Sequence, residues 1–251
     1  MPPAMPTATA TGLIVRGTDW SETSRIVTLW TREFGKVRAL AKGGRRPRSN
    51  FESALDLLTL CSIVLIRKTG GGLDLLTEAR AQDRFLGLRR SLTGLYAGFY
   101  VAELLGDLTQ EDDPHPALFD EAVSTLSDLS AGTPPRMLRL LRFETVLLRE
   151  LGYAPQLESC ASCRGDLGPE GRWGFSPAAG GVVCGRCRVT PRGWQPLSRA
   201  AWLGLRQLAD DAAWREVPSA TRGELRPIMD GLVAEHLGHR PRSGAYLRDD
   251  S

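Results

Sequence analysis

Histidine is scarce in this chain, three residues in 251, and signals for catalysis are correspondingly poor. His115 lies between two prolines, while His236 and His239 fall near the end of a helical pattern, where they share a face without a third ligand type. There is no phosphate loop of the Walker type and no GxSxG elbow. Gly70-Gly71-Gly72 is a turn and not a dinucleotide fingerprint, because no helical pattern follows it directly. Also missing is any apolar run of membrane-spanning length, and residues 1–11 are rich in Pro, Ala and Thr without the basic segment and apolar run of a secretory signal. These absences predict a cytoplasmic protein with no membrane association, in a compartment where thiols stay reduced.

Positive charge is absent from one long segment. Residues 91–135 hold eight Asp and Glu and no Lys or Arg, whereas residues 1–50 carry nine Lys and Arg against three acids. The overall net charge of +3 therefore hides an asymmetry that predicts a basic front, which attracts a polyanion, and an acidic back, which repels it.

Of the five cysteines, four form Cys160-Ala-Ser-Cys163 and Cys184-Gly-Arg-Cys187, two CxxC pairs separated by twenty residues. Two residues between cysteines let a tight turn aim both sulfurs at one point, and a second such turn completes the thiolate tetrahedron that Zn²⁺ prefers. Four protein ligands leave no position for a reactive water, so the expected metal is structural and its binding contributes to folding. Two disulfides or free thiols are the alternative, which needs an oxidising compartment or apolar burial. Cys61, beside Ile63-Val64-Leu65-Ile66, reads as a buried small hydrophobe.

Residues 12–80 read as short strands at Gly12 to Arg16, Arg25 to Thr31, Lys36 to Lys42, Leu57 to Ile66 and Leu73 to Glu78, with turn signals between them. Five strands in that length fit a small closed barrel such as an OB-fold, and equally a five-stranded sheet of another topology. Helical spacing follows: Phe85 to Ala102, then Phe119 to Leu129 after Pro116, then Pro134 to Leu151 with Gly152 as its stop. Trp173-Gly174-Phe175 and Gly180-Gly181 suit a small hairpin between the cysteine turns. Ser198 is placed to cap a fourth helix, and Thr221-Arg-Gly-Glu224 matches a capping box ahead of a fifth.

The clearest surface signal is Lys36-Val-Arg38-Ala-Leu-Ala-Lys42-Gly-Gly-Arg45-Arg46-Pro-Arg48. On a strand, Lys36, Arg38 and Lys42 share one face and Val37, Ala39 and Ala41 the other, and the following loop adds Arg45, Arg46 and Arg48. Gly43-Gly44 would let the backbone approach a phosphate, and Trp20, Trp30, Phe34 and Phe51 are nearby candidates for stacking on unpaired bases. A solvated basic face with its aromatics in the core gives the same pattern. Arg136, Arg139 and Arg142, at three-residue spacing on the third helix, and Arg89-Arg90 form weaker patches that read first as solvated helix faces.

Ser21-Glu-Thr-Ser-Arg-Ile-Val-Thr-Leu29, Thr31-Arg-Glu-Phe-Gly-Lys36 and Ala41-Lys-Gly-Gly-Arg-Arg-Pro-Arg-Ser49, with Phe143-Glu144 and Leu151-Gly-Tyr-Ala-Pro155 ahead of the cysteine pairs, resemble the bacterial DNA repair protein RecO family of recombination mediators. The resemblance spans about Gly12 to Leu247, with one departure at Gly43-Gly44, where the family often has Gly-Ala. It implies an α+β protein: an N-terminal five-stranded OB-fold barrel, placed at residues 1–82, and an α-helical domain, placed at 83–240, with a four-cysteine zinc-binding insert at about 156–192; the tail at 241–251, with Pro and Gly and no period, reads as flexible. It further implies no enzymatic turnover, binding of single- and double-stranded DNA, annealing of complementary strands, and action with RecR and single-strand-binding protein to load recombinase on gapped DNA in the RecF pathway. Lys36, Arg38, Lys42, Arg45, Arg46 and Arg48 occupy the family's basic stretch. The rival readings are a zinc-ribbon enzyme acting on nucleic acid and a DNA-binding regulator that reads base sequence.

Overall fold

The computed structural model describes residues 7–46, 49, 51, 54–68, 72–167, 172–189 and 193–247. Pro47, Arg48, Gly70 and Gly71 from the basic loop and the glycine turn thus lie outside the described residues, as do residues 190–192 and 248–251. The chain forms two compact units, residues 1–131 with 242–248, and residues 132–241 with 249–251.

In the first unit five strands close into an OB-like barrel: β1 (Thr7–Asp19), β2 (Arg25–Thr31), β3 (Gly35–Ala41), β4 (Leu60–Ile66) and β5 (Asp74–Asp83), in the order β1-β2-β3-β5-β4. Closure depends on the length of β1. Its first half pairs with β4, from Thr7↔Ile66 to Leu13↔Leu60, and its second half with β2, through a register shift between Ile14 and Arg16. Such a bulge bends the strand enough to serve two neighbours. A parallel pairing, Ala39↔Asp74 to Ala41↔Leu76, brings β5 back beside β3. Ile14, Val27, Leu29, Val37, Ala39, Cys61, Ile63, Leu65 and Leu76 fill the interior. Cys61 is a core residue, as expected, and burial pushes its thiol up to about 12.

Phe85 takes a left-handed backbone (φ +44°) and Ser91 an extended one, so the expected helix from Phe85 divides into a 3-10 turn, Leu86–Arg90, and α1 (Leu92–Leu108). The Ser91 hydroxyl caps α1 by accepting the Gly94 N–H. With α2 (Pro116–Ala131), α1 covers the strands: a Cβ on Gly98 would meet Leu58 at 2.6 Å, and Phe119 stacks on Trp30 at 5.7 Å. These contacts are why the first unit extends to residue 131, whereas the sequence places a boundary after residue 82.

The second unit is built around α3 (Arg136–Glu150), buried on nearly every side against α4 (Arg199–Ala209) and α5 (Ser219–Leu237). Arg139 and Arg142 are consequently interior residues and not a solvated patch. The Arg139 guanidinium lies 5.3 Å from the centre of the Trp214 ring, and Arg142 donates to the Leu208 carbonyl and pairs with Asp211. Arg136 is half-buried at the start of the same helix.

Ser198 caps α4 as expected, accepting from the Ala201 N–H. The capping box does not form, because α5 begins at Ser219 and leaves Thr221 inside its first turn. Glu224 instead accepts the backbone N–H and hydroxyl of Ser198 at 2.8 and 2.7 Å, joining two helices.

The tail also departs from expectation. Ser243–Tyr246 forms a 3-10 turn, the Glu103 carboxylate accepts the backbone N–H groups of Arg242 (2.7 Å) and Ser243 (2.9 Å) and the Ser243 hydroxyl, and Tyr246 stacks on Tyr96 at 4.2 Å. No apolar period announces such a segment, because a carboxylate and one ring hold it.

Burial raises the Glu103 carboxyl, but the bonds from Ser243 and Arg242 outweigh it and hold the group below its ordinary 4.5. A depressed folded value means that this stabilisation is complete above pH 4.5 and is lost as pH falls below it through the lowered value. The Glu103→Gln variant should lose protection of the Arg242 and Ser243 amides by about 10-fold or more, read by hydrogen exchange, and should lack the acid dependence that the parent shows. Equal protection in both proteins would overturn this account of the tail.

Candidate metal centre and basic face

The cysteine turns grow from a three-stranded sheet, β6 (Gly174–Ser176), β7 (Gly181–Val183) and β8 (Gln195–Pro196), with β6 central. β6 and β7 are the hairpin that the glycine signals predict, and Gly181 (φ +157°) is required there, since a Cβ would lie 2.3 Å from the Gln156 carbonyl oxygen. The Ala161 N–H donates to Val182 O at 2.7 Å, which places the first cysteine turn beside the strand that leads into the second. Within each turn a backbone bond closes the chain back on itself, Arg164 N–H to Cys160 O and Cys187 N–H to Cys184 O.

All four sulfurs converge to within 4.8 Å of one another, and all five cysteines of the chain are free thiols. A tetrahedral metal with sulfurs at about 2.3 Å spaces them at about 3.8 Å, so the group fits a four-thiolate ion. The chemistry of the donors agrees. Burial raises the Cys160 thiol, but the N–H groups of Cys184, Cys163 and Ser162 outweigh it and bring it down to about 6. The Cys187 N–H lowers Cys184 in the same way. Cys187 is pushed up to about 12 by its bonds to the thiols of Cys163 and Cys184. Backbone N–H donors thus favour the thiolate at Cys160 and Cys184, the form in which a cysteine binds a metal. Among the described residues these four cysteines are the group that could hold a metal; His239 instead meets the Arg240 carbonyl.

The basic strand alternates as expected, with Val37, Ala39 and Ala41 inside the barrel and Lys36, Arg38 and Lys42 outside it. The free charge is distributed differently. Lys36 Nζ donates to the carbonyls of Gly106 and Thr109 at the C-terminal end of α1, and this burial lowers its pKa. Arg38 lies 4.0 Å from Glu111, Arg16 pairs with Asp107 at 2.9 Å, Arg32 with Asp120 at 2.9 Å, and Arg67 with Asp112. The acidic segment is therefore no separate back. Its carboxylates lie against the N-terminal cations, because α1 ends beside β3 and Asp112 donates its N–H to the Lys36 carbonyl.

Beyond β3, Gly43 turns with φ +73°, and a Cβ on Gly44 would meet Leu55 at 2.8 Å. The close approach that Gly44 permits is to the barrel's own core. Arg45 reaches back to the β1–β2 connection, donating to Ser21 O at 2.9 Å and lying 3.4 Å from Asp19. Lys42 and Arg46 are exposed, and with Gly43, Ser49, Phe51, Leu75, Leu76 and Thr77 they line a hollow of about 310 Å³. Trp30 and Phe51 are core residues and Phe34 is half-buried with the Arg67 guanidinium 4.9 Å from its ring centre, so three of the four candidate stacking rings are taken. Trp20 remains, 64% exposed. Arg16 joins Arg38 in lining a second cleft of about 280 Å³, which no local sequence pattern signals, since only strand pairing brings β1 near β3's cations.

The family model described as Recombination protein O N terminal matches residues 5–85, and Recombination protein O C terminal matches residues 89–245. The chain belongs to the RecO family. It is 43% identical over 210 residues to the DNA repair protein RecO of Rhodopirellula baltica, covering 83% of this chain and 76% of that one. It is 35% identical over 244 residues to the protein of that name from Anaeromyxobacter sp. strain Fw109-5, 94% of each chain, and 30% identical over 251 residues to the one from Moorella thermoacetica, 96% of this chain and 90% of that one.

In this RecO-family chain a metal ion held by the four cysteines should hold the small sheet together. Chelation under reducing conditions, or Cys160→Ser, should lower the thermal midpoint, whereas Cys61→Ser should leave bound metal unchanged because Cys61 lies in the barrel core. Metal analysis and a melting curve decide it, and thermal stability indifferent to chelation would remove the structural role.

Proposed function

We propose that this RecO-family chain is a DNA-binding mediator of recombinational repair, which binds single- and double-stranded DNA, anneals complementary strands and helps load recombinase on gapped DNA in the RecF pathway, without turnover of its own. RecR and single-strand-binding protein are its partners in this reading, and its place is the cytoplasm, on the nucleoid. The observation that carries the reading is the exposed pair of cations Lys42 and Arg46 at the end of β3, beside an open hollow on an OB-like barrel, in a chain of this family.

Phosphate is the group that such a site suits, because Lys42 and Arg46 carry charge without an ordered frame for reading base edges. Arg48 extends the same loop in sequence and is assigned the same role. Arg45 holds the β1–β2 connection in place. Lys36 and Arg38, held by α1 carbonyls and Glu111, contribute at most a background potential until DNA draws Arg38 away. Cys160, Cys163, Cys184 and Cys187 bind one structural Zn²⁺ per chain, and the insert at about 156–192 depends on it.

The direct test of function is annealing of complementary strands coated with single-strand-binding protein, where failure to accelerate pairing would sink the mediator reading. For the site, each phosphate contact adds about 0.7 to the magnitude of the log-affinity against log-salt slope on single strands. Lys42→Ala with Arg46→Ala should weaken binding similarly across sequences and flatten that slope by about 1.4. Unchanged affinity and slope in a folded double variant would leave these cations as a solvated face.

A further inference from the structure

Trp20 stands on the connection between β1 and β2 with its indole 64% exposed. A single exposed apolar side chain is ordinary on a protein surface. What distinguishes this one is how firmly the backbone beneath it is held. The N–H groups of Trp20 and Ser21 both donate to the Ser24 carbonyl, at 3.0 and 3.3 Å, and the Ser24 N–H donates to the Ser21 hydroxyl at 3.2 Å. Asp19, immediately before Trp20, lies 3.2 Å from Arg25 and 3.4 Å from Arg45. Arg45 then fastens the connection from the other side, through its Nη1 to Ser21 O at 2.9 Å and its backbone N–H to Thr23 O at 3.0 Å.

The turn that carries the indole is thus bolted to the loop that carries Lys42 and Arg46, one residue from Arg46 in sequence. An exposed ring on a hydrogen-bonded turn that Arg45 ties to the loop of Lys42 and Arg46, cations with no ion pair among the described residues, suits a ligand with alternating flat apolar faces and anionic groups. Unpaired nucleic acid has this chemistry, and duplex has only half of it, because its base faces are already stacked on one another.

Resting on the DNA-binding reading above, we propose that Trp20 stacks on an unpaired base whose neighbouring phosphates lie on Lys42 and Arg46, and that this contact makes the barrel favour single strands over duplex. Stacking releases no counterion, so its contribution is separable from that of the cations by salt.

The experiment measures binding of the full chain to oligothymidylate and to a duplex of equal length across a range of salt, for the parent, Trp20→Ala, Trp20→Phe and the Lys42→Ala/Arg46→Ala double variant, with a melting curve for each. Trp20→Ala should lose about 5- to 150-fold in affinity for the single strand, the equivalent of about 1 to 3 kcal/mol of stacking, with its salt slope unchanged and duplex binding retained. Trp20→Phe, which keeps a flat ring, should recover much of the loss. Parent-like single-strand binding by Trp20→Ala, while the double variant is weakened, would overturn the stacking role and leave the DNA-binding reading standing. Equal loss on both substrates with a flattened slope would also overturn it, since Trp20 would then act only by placing the cations. Binding indifferent to all the substitutions would remove the DNA-binding reading together with the inference built on it.

Discussion

Lys36 is held at both ends, and much of the first unit's electrostatics follows from it. Its backbone is a residue of β3, while its ammonium group fills the space where the last carbonyls of α1 run out of helical partners. A helix C-terminus carries unsatisfied acceptors and a partial negative charge, so a half-buried lysine there meets two needs with one side chain. Desolvation lowers its pKa, and nearby Glu111 and Asp107 oppose that shift. Once α1 ends at β3, the acidic run behind it has to lie along the barrel. An exposed pair such as Arg16 with Asp107 contributes little to stability, about 0 to 1 kcal/mol. The electrostatic consequence of such pairs is larger: they neutralise the middle of the basic face, while Lys42 and Arg46 at its end have no ion pair among the described residues.

The second unit's sheet poses a different problem. Strands of three, three and two residues bury too little apolar surface to order the long cysteine-bearing loops alone. Phe175, Val182 and Val183 are buried, and Trp173 packs on Trp202 at 5.6 Å, which ties the sheet to α4 but does not span the two cysteine turns. Convergence of four sulfurs does span them. A metal ion held by the four sulfurs would couple its binding to the folding of this segment.

What could be read from the sequence was local. The alternation on β3, the β2 span from Arg25 to Thr31, the Ser198 cap and the two cysteine turns each depend on residues a few positions apart, and the structure keeps them. What could not be read needed a neighbour from elsewhere in the chain. Arg139 and Arg142 look like an exposed stripe until α4 and α5 enclose α3 and Trp214 and Leu208 meet the guanidinium groups. Glu224 fits a local cap by spacing, but Ser198 offers it two donors from another helix. The charge asymmetry was correctly counted and wrongly placed, because linear separation of acidic and basic segments says nothing about which strand a helix end will meet.

Arg45 illustrates why residues in one basic run are not equivalent. Its neighbours Lys42 and Arg46 point charge into an open hollow, whereas its own donors are directed at Ser21 and Asp19. Replacing it would remove a cation and also release the turn that presents Trp20, so a loss of binding would mix a phosphate effect with an ordering effect. The salt slope registers the first and not the second, because freeing a loop changes conformational entropy without changing the number of counterions released. A phosphate role for Arg45 would thus require its guanidinium to leave Asp19 on binding, and the β1–β2 turn would then have to be held by the strand itself.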